Sequence, residues 1–62
     1  MTSPRNPSWA DNSGQAILIE VEVDGVWTPY VCRADDLVEF SREAFAAAQQ
    51  GQFGPIAPFV PD

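Results

Sequence analysis

The chain has 62 residues, a net charge of −6 and one cysteine, and these properties exclude several classes of protein. A chain of this length forms one small domain, which usually needs a disulfide, a metal or a partner for stability. Cys32 has no second cysteine with which to pair, and the sequence contains no histidine. We therefore expect no metal and no cofactor. The extra stability is expected to come from another protein or from copies of the chain.

The charge balance also limits the class of partner. Three arginines stand against nine acidic residues, so direct binding to nucleic acid, which requires neutralised phosphates, is not expected. We expect no membrane association, because the chain lacks a basic face and any apolar run near the ~20 residues of a membrane span. No signal peptide is recognisable, and a single cysteine fits synthesis in a reducing cytoplasm. The acidity indicates either simple solubility or attraction to a basic partner surface.

Residues 1–15 predict a flexible N-terminal arm, because they are polar and are interrupted by Pro4, Pro7 and Gly14. Trp9 is the exception within this segment. A tryptophan in a polar arm is either exposed by chance or is an anchor that docks elsewhere. We include it among the candidate partner-binding residues.

Residues 16–33 predict a β-hairpin centred on Asp24-Gly25, which suits a two-residue type I′ turn. That turn sets the register, with Val23 opposite Val26 and Ile17 opposite Cys32. One face then holds the side chains that we assign to the core: Val23, Val26, Val21, Thr28, Ile19, Tyr30, Ile17 and Cys32. The other face is mixed in polarity, and we expect its larger apolar side chains to be covered by a partner: Leu18, Trp27 and Val31.

Pro29 limits how this sheet can grow. Its nitrogen points away from the first strand in the predicted register and has no hydrogen to donate. If a partner strand extends the sheet, we therefore expect it on the other side, beside residues 17–23.

Residues 34–50 predict a helix, with Asp36 as the N-cap and Glu39 completing a capping box. The hairpin and the helix together predict an α+β mini-domain over residues 16–50. The apolar stripe of the helix comprises Leu37, Phe40, Ala44, Ala47 and Ala48, widened by Val38 and Phe45. Gly51 is expected just beyond the helix, with Phe53 packing back against the last turn.

Residues 51–62 predict an extended C-terminal strap. Pro55, Pro58 and Pro61 recur at every third position, which is typical of a polyproline-like chain. The strap either covers its own core or serves as a ligand strand for another protein. Its apolar side chains are further candidate contacts with a partner: Phe53, Ile56 and Phe59.

No catalytic residue is predicted. Without a histidine, the hydroxyls of Ser41 and Thr28 have no partner for a serine triad. Cys32 is interpreted as a small core residue rather than a nucleophile. The acidic pair Glu20 and Glu22 suits a solvated strand face better than a glycosidase cleft, which a chain this short can hardly form. We therefore predict a protein that is not an enzyme and has no small-molecule substrate.

The last part of the chain, EFSREAFAAAQQGQFGPIAPFVPD, resembles the end of many small accessory proteins of tailed bacteriophages. The shared pattern is a short helix with an arginine and an aromatic residue, an alanine-rich turn and a G-x-(F/Y)-G-x-I-A-x-(F/Y) segment. The residues that carry it are Arg42, Phe45, Ala48, Gly51, Phe53, Gly54, Pro55, Ile56, Ala57, Pro58 and Phe59. The resemblance implies a tail or tail-fibre associated protein, made in the host cytoplasm and then part of the virion.

Two hypotheses of function follow. The first is a structural protein that docks on a tail or fibre protein, on copies of itself, or on both. The second is a small acidic inhibitor that occupies a basic surface of a host enzyme and mimics nucleic acid. The inhibitor would need its carboxylates on one surface: Asp24, Glu20, Glu22, Asp35, Asp36, Glu39 and Glu43. A salt titration separates the two, because charge-driven binding weakens with salt and apolar docking does not.

Overall fold

The computed structural model describes residues 3–60, which form a three-stranded antiparallel sheet and one helix. The strands are β1 (Arg5–Trp9), β2 (Ala16–Val23) and β3 (Val26–Arg33), and the sheet order is β1-β2-β3. The helix, α1 (Glu39–Gln49), packs on one face of this sheet. The predicted α+β class is confirmed.

The hairpin of β2 and β3 has the predicted register throughout. Val23 lies opposite Val26, and Ile17 lies opposite Cys32. Asp24 and Gly25 both adopt positive φ, at 50° and 79°, as a type I′ turn requires. The turn chemistry and the alternating pattern therefore specify the same pairing.

Strand β1 lies within the segment predicted as a flexible arm. It pairs with β2, with Trp9 opposite Ile17 and Ser8 opposite Leu18, and an irregularity precedes this pairing where Asn6 adopts a φ of 52°. From the sequence, this edge of β2 was the expected place for a strand if a partner supplied one. The strand instead comes from the chain's own N-terminal segment, because β2 offers unpaired backbone groups there.

The core lies between the sheet and α1. Ile17, Ile19 and Cys32 are fully buried against Ala44, Phe45 and Ala48 of the helix, and these six residues form one cluster. Partly buried side chains from the three strands and from the segment after the helix pack around that cluster: Trp9, Val21, Tyr30, Phe53 and Ile56. We call the sheet face that carries Ile17, Ile19 and Cys32 the closed face.

The core assignment is wrong at the turn end of the hairpin. Val23 is 52% exposed and Val26 is 63% exposed, and Thr28 is exposed as well. The described part of the chain has one helix, and it covers only the end of the closed face that is remote from the turn.

The predicted start of the helix is also wrong. The helix begins at Glu39 with Val38 as its N-cap, and Val38 makes no capping side-chain hydrogen bond. The Asp36 carboxylate instead accepts the Val38 N–H at 3.0 Å, which holds the chain in a turn before the helix. Leu37 consequently lies outside the helix, and it is 96% exposed rather than part of the apolar stripe.

The end of the helix agrees with the sequence. Gly51 has a φ of 81°, its N–H donates to the Ala48 carbonyl, and the Gln52 N–H donates to the Ala47 carbonyl. This pair of bonds is a Schellman motif, which turns the chain so that Phe53 packs against the core.

A polyproline-like strap over residues 51–62 is not confirmed. Residues 51–54 form turns, and Ala57 makes a bridge to Ser8 of β1. Pro61, the last member of the proline repeat, lies outside the described residues. The division into an arm, a mini-domain and a strap stays a prediction.

Candidate protein-docking surfaces

The second face of the sheet carries the first candidate surface. Leu18 and Trp27 are half-buried on this face, and Val31 is 40% exposed. Helix α1 packs on the opposite face, so its apolar side chains do not contribute cover here. We call the surface formed by Leu18, Trp27 and Val31 the open face.

Polar residues border the open face, and one of them packs against Trp27. The Arg5 guanidinium stacks over the Trp27 ring at 3.8 Å from the ring centroid, and its Nε donates to Glu20 at 3.0 Å. The Asn6 amide donates to the same Glu20 oxygen at 2.6 Å. The sequence alone does not point to Arg5 and Asn6, because only the pairing of β1 with β2 brings them beside Glu20.

Hydrogen bonding also favours the charged form of Glu20 at this border. The Asn6 amide, and then Arg5, hold the pKa of the Glu20 carboxyl below its ordinary value. Glu20 is therefore ionised at neutral pH, and its charge is balanced locally by Arg5. The border of the open face at Glu20 is thus an ion pair whose charges balance locally, and Glu22, opposite Trp27, is a second acidic residue on this face.

The outer edge of β3 is partly closed by the chain itself. The Ser41 hydroxyl, fully buried beneath the helix, accepts the Arg33 backbone N–H at 2.9 Å. Pro29 offers no N–H on the same strand. These two features oppose regular addition of a further strand along β3, so the faces of the sheet are better suited to docking than this edge.

A second candidate surface is a hollow of about 370 Å³ at the other edge of the molecule. We call it the Trp9–Phe59 hollow, and its lining residues are Trp9, Asp11, Asn12, Gly14, Pro58 and Phe59. The bridge to β1 assembles it: the Trp9 N–H donates to the Ala57 carbonyl, and the Ala57 N–H donates to the Pro7 carbonyl, both at 2.9 Å.

The predicted partner-binding residues therefore lie in three places. Leu18, Trp27 and Val31 share the open face, whereas Trp9 and Phe59 share the hollow. Phe53 and Ile56 pack against the chain's own core. Whether any of these seven contacts a partner stays a prediction.

The buried thiol has the environment expected of a core residue. Cys32 is fully buried, and its Sγ donates to the Ile17 carbonyl at 3.1 Å. Burial raises the pKa of the thiol, which disfavours the reactive thiolate.

Within residues 3–60, no three His, Cys, Asp or Glu side chains lie close enough to hold a metal ion. Over the same residues, no helix is both long and apolar enough to cross a membrane.

Comparisons with protein families, with curated proteins and with solved structures found no match to this chain.

Proposed function

We propose that this chain is a non-catalytic protein that docks on another protein through the open face of its sheet. The observation that carries the proposal is the contrast between the two faces, since α1 covers the end of one face remote from the turn, while on the other Val31 is exposed and Trp27 is half-buried beneath Arg5. A partly accessible cluster of large apolar side chains on the face opposite the helix favours a protein partner. Tryptophan in particular is enriched among residues that dominate binding energy.

The chemistry of the partner follows from charge. A chain with a net charge of −6 favours a partner whose apolar contact surface is bordered by basic side chains. The resemblance of residues 39–62 to bacteriophage accessory proteins supports a tail or tail-fibre protein as that partner. In this proposal the chain is made in the host cytoplasm and carried into the virion.

The inhibitor hypothesis uses the same charge in a different way. Glu22, Asp24 and Glu43 are exposed, as a mimic of nucleic acid would require. Glu20, however, is already bound by Arg5 and Asn6, which weakens the acidic surface on the sheet. We therefore rank docking through the open face first.

The test is a binding assay with tail and tail-fibre proteins of tailed bacteriophages, using two valine variants of β3. Val31→Glu places a charge on the open face, whereas Val26→Glu places the same charge on the opposite face at a site that is 63% exposed. Docking through the open face predicts at least a ~10-fold loss of affinity for Val31→Glu and less than a ~2-fold change for Val26→Glu.

Salt dependence then separates the two functions. Docking led by apolar contacts predicts only a shallow loss of affinity between about 0.05 and 0.5 M salt, from the basic border of the partner surface, whereas an acidic inhibitor loses affinity steeply over this range. Equal effects of the two valine variants would overturn the use of the open face. Binding only to a basic host enzyme, with a steep salt dependence, would favour the inhibitor.

A further inference from the structure

The Trp9–Phe59 hollow has a composition that differs from that of the open face. Aromatic rings from distant parts of the sequence, Trp9 and Phe59, line it together with Pro58. Trp9 is held in place because its ring packs edge-on against Phe45, with 6.4 Å between centroids. The Ala57 bridge fixes the backbone immediately before Pro58. The aromatic lining is therefore positioned before any ligand arrives.

A fixed carboxylate completes the hollow. Asp11 Oδ1 accepts the Ser13 hydroxyl at 2.6 Å and the Ser13 N–H at 2.9 Å, which orients the side chain. These bonds, the hydroxyl first, lower the pKa of Asp11, so the group is charged at neutral pH. Arg33 contributes the weakest of the effects that act on this carboxyl, and it does not line the hollow.

The open face contains an example of a group that binds an aromatic ring and a carboxylate together. On the open face, Arg5 stacks on Trp27 and pairs with Glu20. The hollow repeats two parts of that arrangement, an aromatic surface and a carboxylate. No arginine is among the residues that line it within the described part of the chain. A guanidinium group fits such a site because it stacks on rings and donates to carboxylates at the same time.

We propose that the Trp9–Phe59 hollow binds an arginine side chain of a partner protein, with the guanidinium stacked on the rings and paired with Asp11. The net charge of −6 favours a cationic ligand, and a volume of about 370 Å³ accommodates one extended side chain. The inference goes beyond the proposed function and does not depend on it, because it uses none of the open-face residues.

The experiment is an NMR titration of the ¹⁵N-labelled full chain with a capped Gly-Arg-Gly peptide. Its control ligand is the same peptide with citrulline, which keeps the shape of arginine but has no charge. We expect saturable shifts of the Trp9 indole N–H and of the lining amides, with a Kd on the order of 1–10 mM for so small a ligand. The citrulline peptide should bind at least ~5-fold more weakly.

Two variants that each replace an aspartate with a neutral asparagine provide the matched comparison. Asp11→Asn removes the charge in the hollow and keeps an acceptor for Ser13, whereas Asp24→Asn removes one charge from the exposed hairpin turn. We expect at least a ~5-fold loss of affinity for Asp11→Asn and no loss for Asp24→Asn. Amide spectra of both variants establish that the fold is retained.

Several outcomes would overturn the inference. Equal binding of the citrulline peptide would remove the role of charge, and equal losses in Asp11→Asn and Asp24→Asn would indicate only general attraction to an acidic protein. Shifts centred on Trp27 would mean that the peptide competes with Arg5 on the open face. Light scattering at the same concentrations tests whether an arginine from a second copy already occupies the hollow. If the chain is a dimer that Asp11→Asn dissociates, the ligand is an arginine of a second copy, and the inference of a different partner protein is wrong.

Discussion

Both faces of the sheet carry large apolar side chains, yet helix α1 and the segment after it cover only the closed face. Ile17 and Ile19 are fully buried there, whereas Val31 on the open face is 40% exposed. Strand alternation supplies apolar residues to both faces. The difference comes from the helix, whose Phe45 and Ala48 are buried against one of them. Fold stability should thus depend on the closed face, while the open face is free to serve binding.

The largest expected effect is from Phe45→Ala, which removes the main aromatic contact between α1 and the closed face. Phe45 is 4% exposed and also supports Trp9. We expect a loss of about 3–5 kcal/mol in the free energy of unfolding, measured by urea denaturation followed by circular dichroism. A loss of that size approaches the whole stability of a small domain.

Phe40→Ala is the matched control on the same helix. Phe40 is 48% exposed, although its ring packs edge-on against Tyr30 at 5.4 Å between centroids. We expect a loss of about 1 kcal/mol. Similar losses for the two variants would contradict the idea that burial against the closed face dominates stability.

The next largest loss of stability is expected where α1 contacts β3. Ser41→Ala would leave the Arg33 N–H without its acceptor beneath the helix, at a cost of about 1–3 kcal/mol in the free energy of unfolding. Amide hydrogen exchange at Arg33 should accelerate more than elsewhere in β3. Glu43→Ala, at an exposed position of the same helix, is the control and should change stability little. Unchanged exchange at Arg33 would show that another group can accept this hydrogen.

The parts of the fold that were predictable from sequence are those specified locally. Asp24-Gly25 determines a turn and hence a register, and Gly51 determines how the helix ends. Strand β1 was not predictable in this way, because Pro7 and the positive φ of Asn6 are unfavourable in an isolated strand. Its formation depends on pairing with β2, which is a long-range interaction.

The helix start shows a second limit of the sequence pattern. Asp36 followed by Glu39 matches a capping box, but an aspartate can equally accept the N–H two residues ahead. The latter occurs, with Val38 as the donor. In both arrangements the Asp36 carboxylate accepts a nearby backbone N–H, so the pattern alone could not decide between them.

The two candidate surfaces also differ in whether the sequence could predict them. Alternation along the hairpin identified the open-face residues Leu18, Trp27 and Val31. The Trp9–Phe59 hollow could not be predicted, because the Ala57 bridge joins residues from opposite ends of the sequence. Only the presence of aromatic residues in otherwise polar or proline-rich segments hinted at it.

A smaller effect is expected where the chain turns back toward the closed face. Gly51→Ala should cost about 1 kcal/mol, since an alanine must adopt a φ of 81°. No atom lies within 4 Å of the position that the new Cβ would occupy, so the cost is conformational rather than steric. Gln49→Ala, two residues earlier at the exposed last position of the helix, is the control and should be nearly neutral. Equal stability of both variants would mean that the Schellman motif does not constrain the chain.

The smallest effect on stability is expected on the open face, at the ion pair beside Trp27. Asn6 and Arg5 lower the pKa of Glu20 in the folded state, so the ionised carboxylate adds stability above its ordinary pKa of about 4. That contribution is lost as pH falls through the lowered folded-state pKa. Glu20→Gln should therefore lower the melting temperature slightly at pH 7, and the difference from the parent chain should shrink as the pH falls below about 4. A difference that persists in acid would mean that Glu20 stabilises the sheet by packing or neutral hydrogen bonding, and the open face would then contribute to folding as the closed face does.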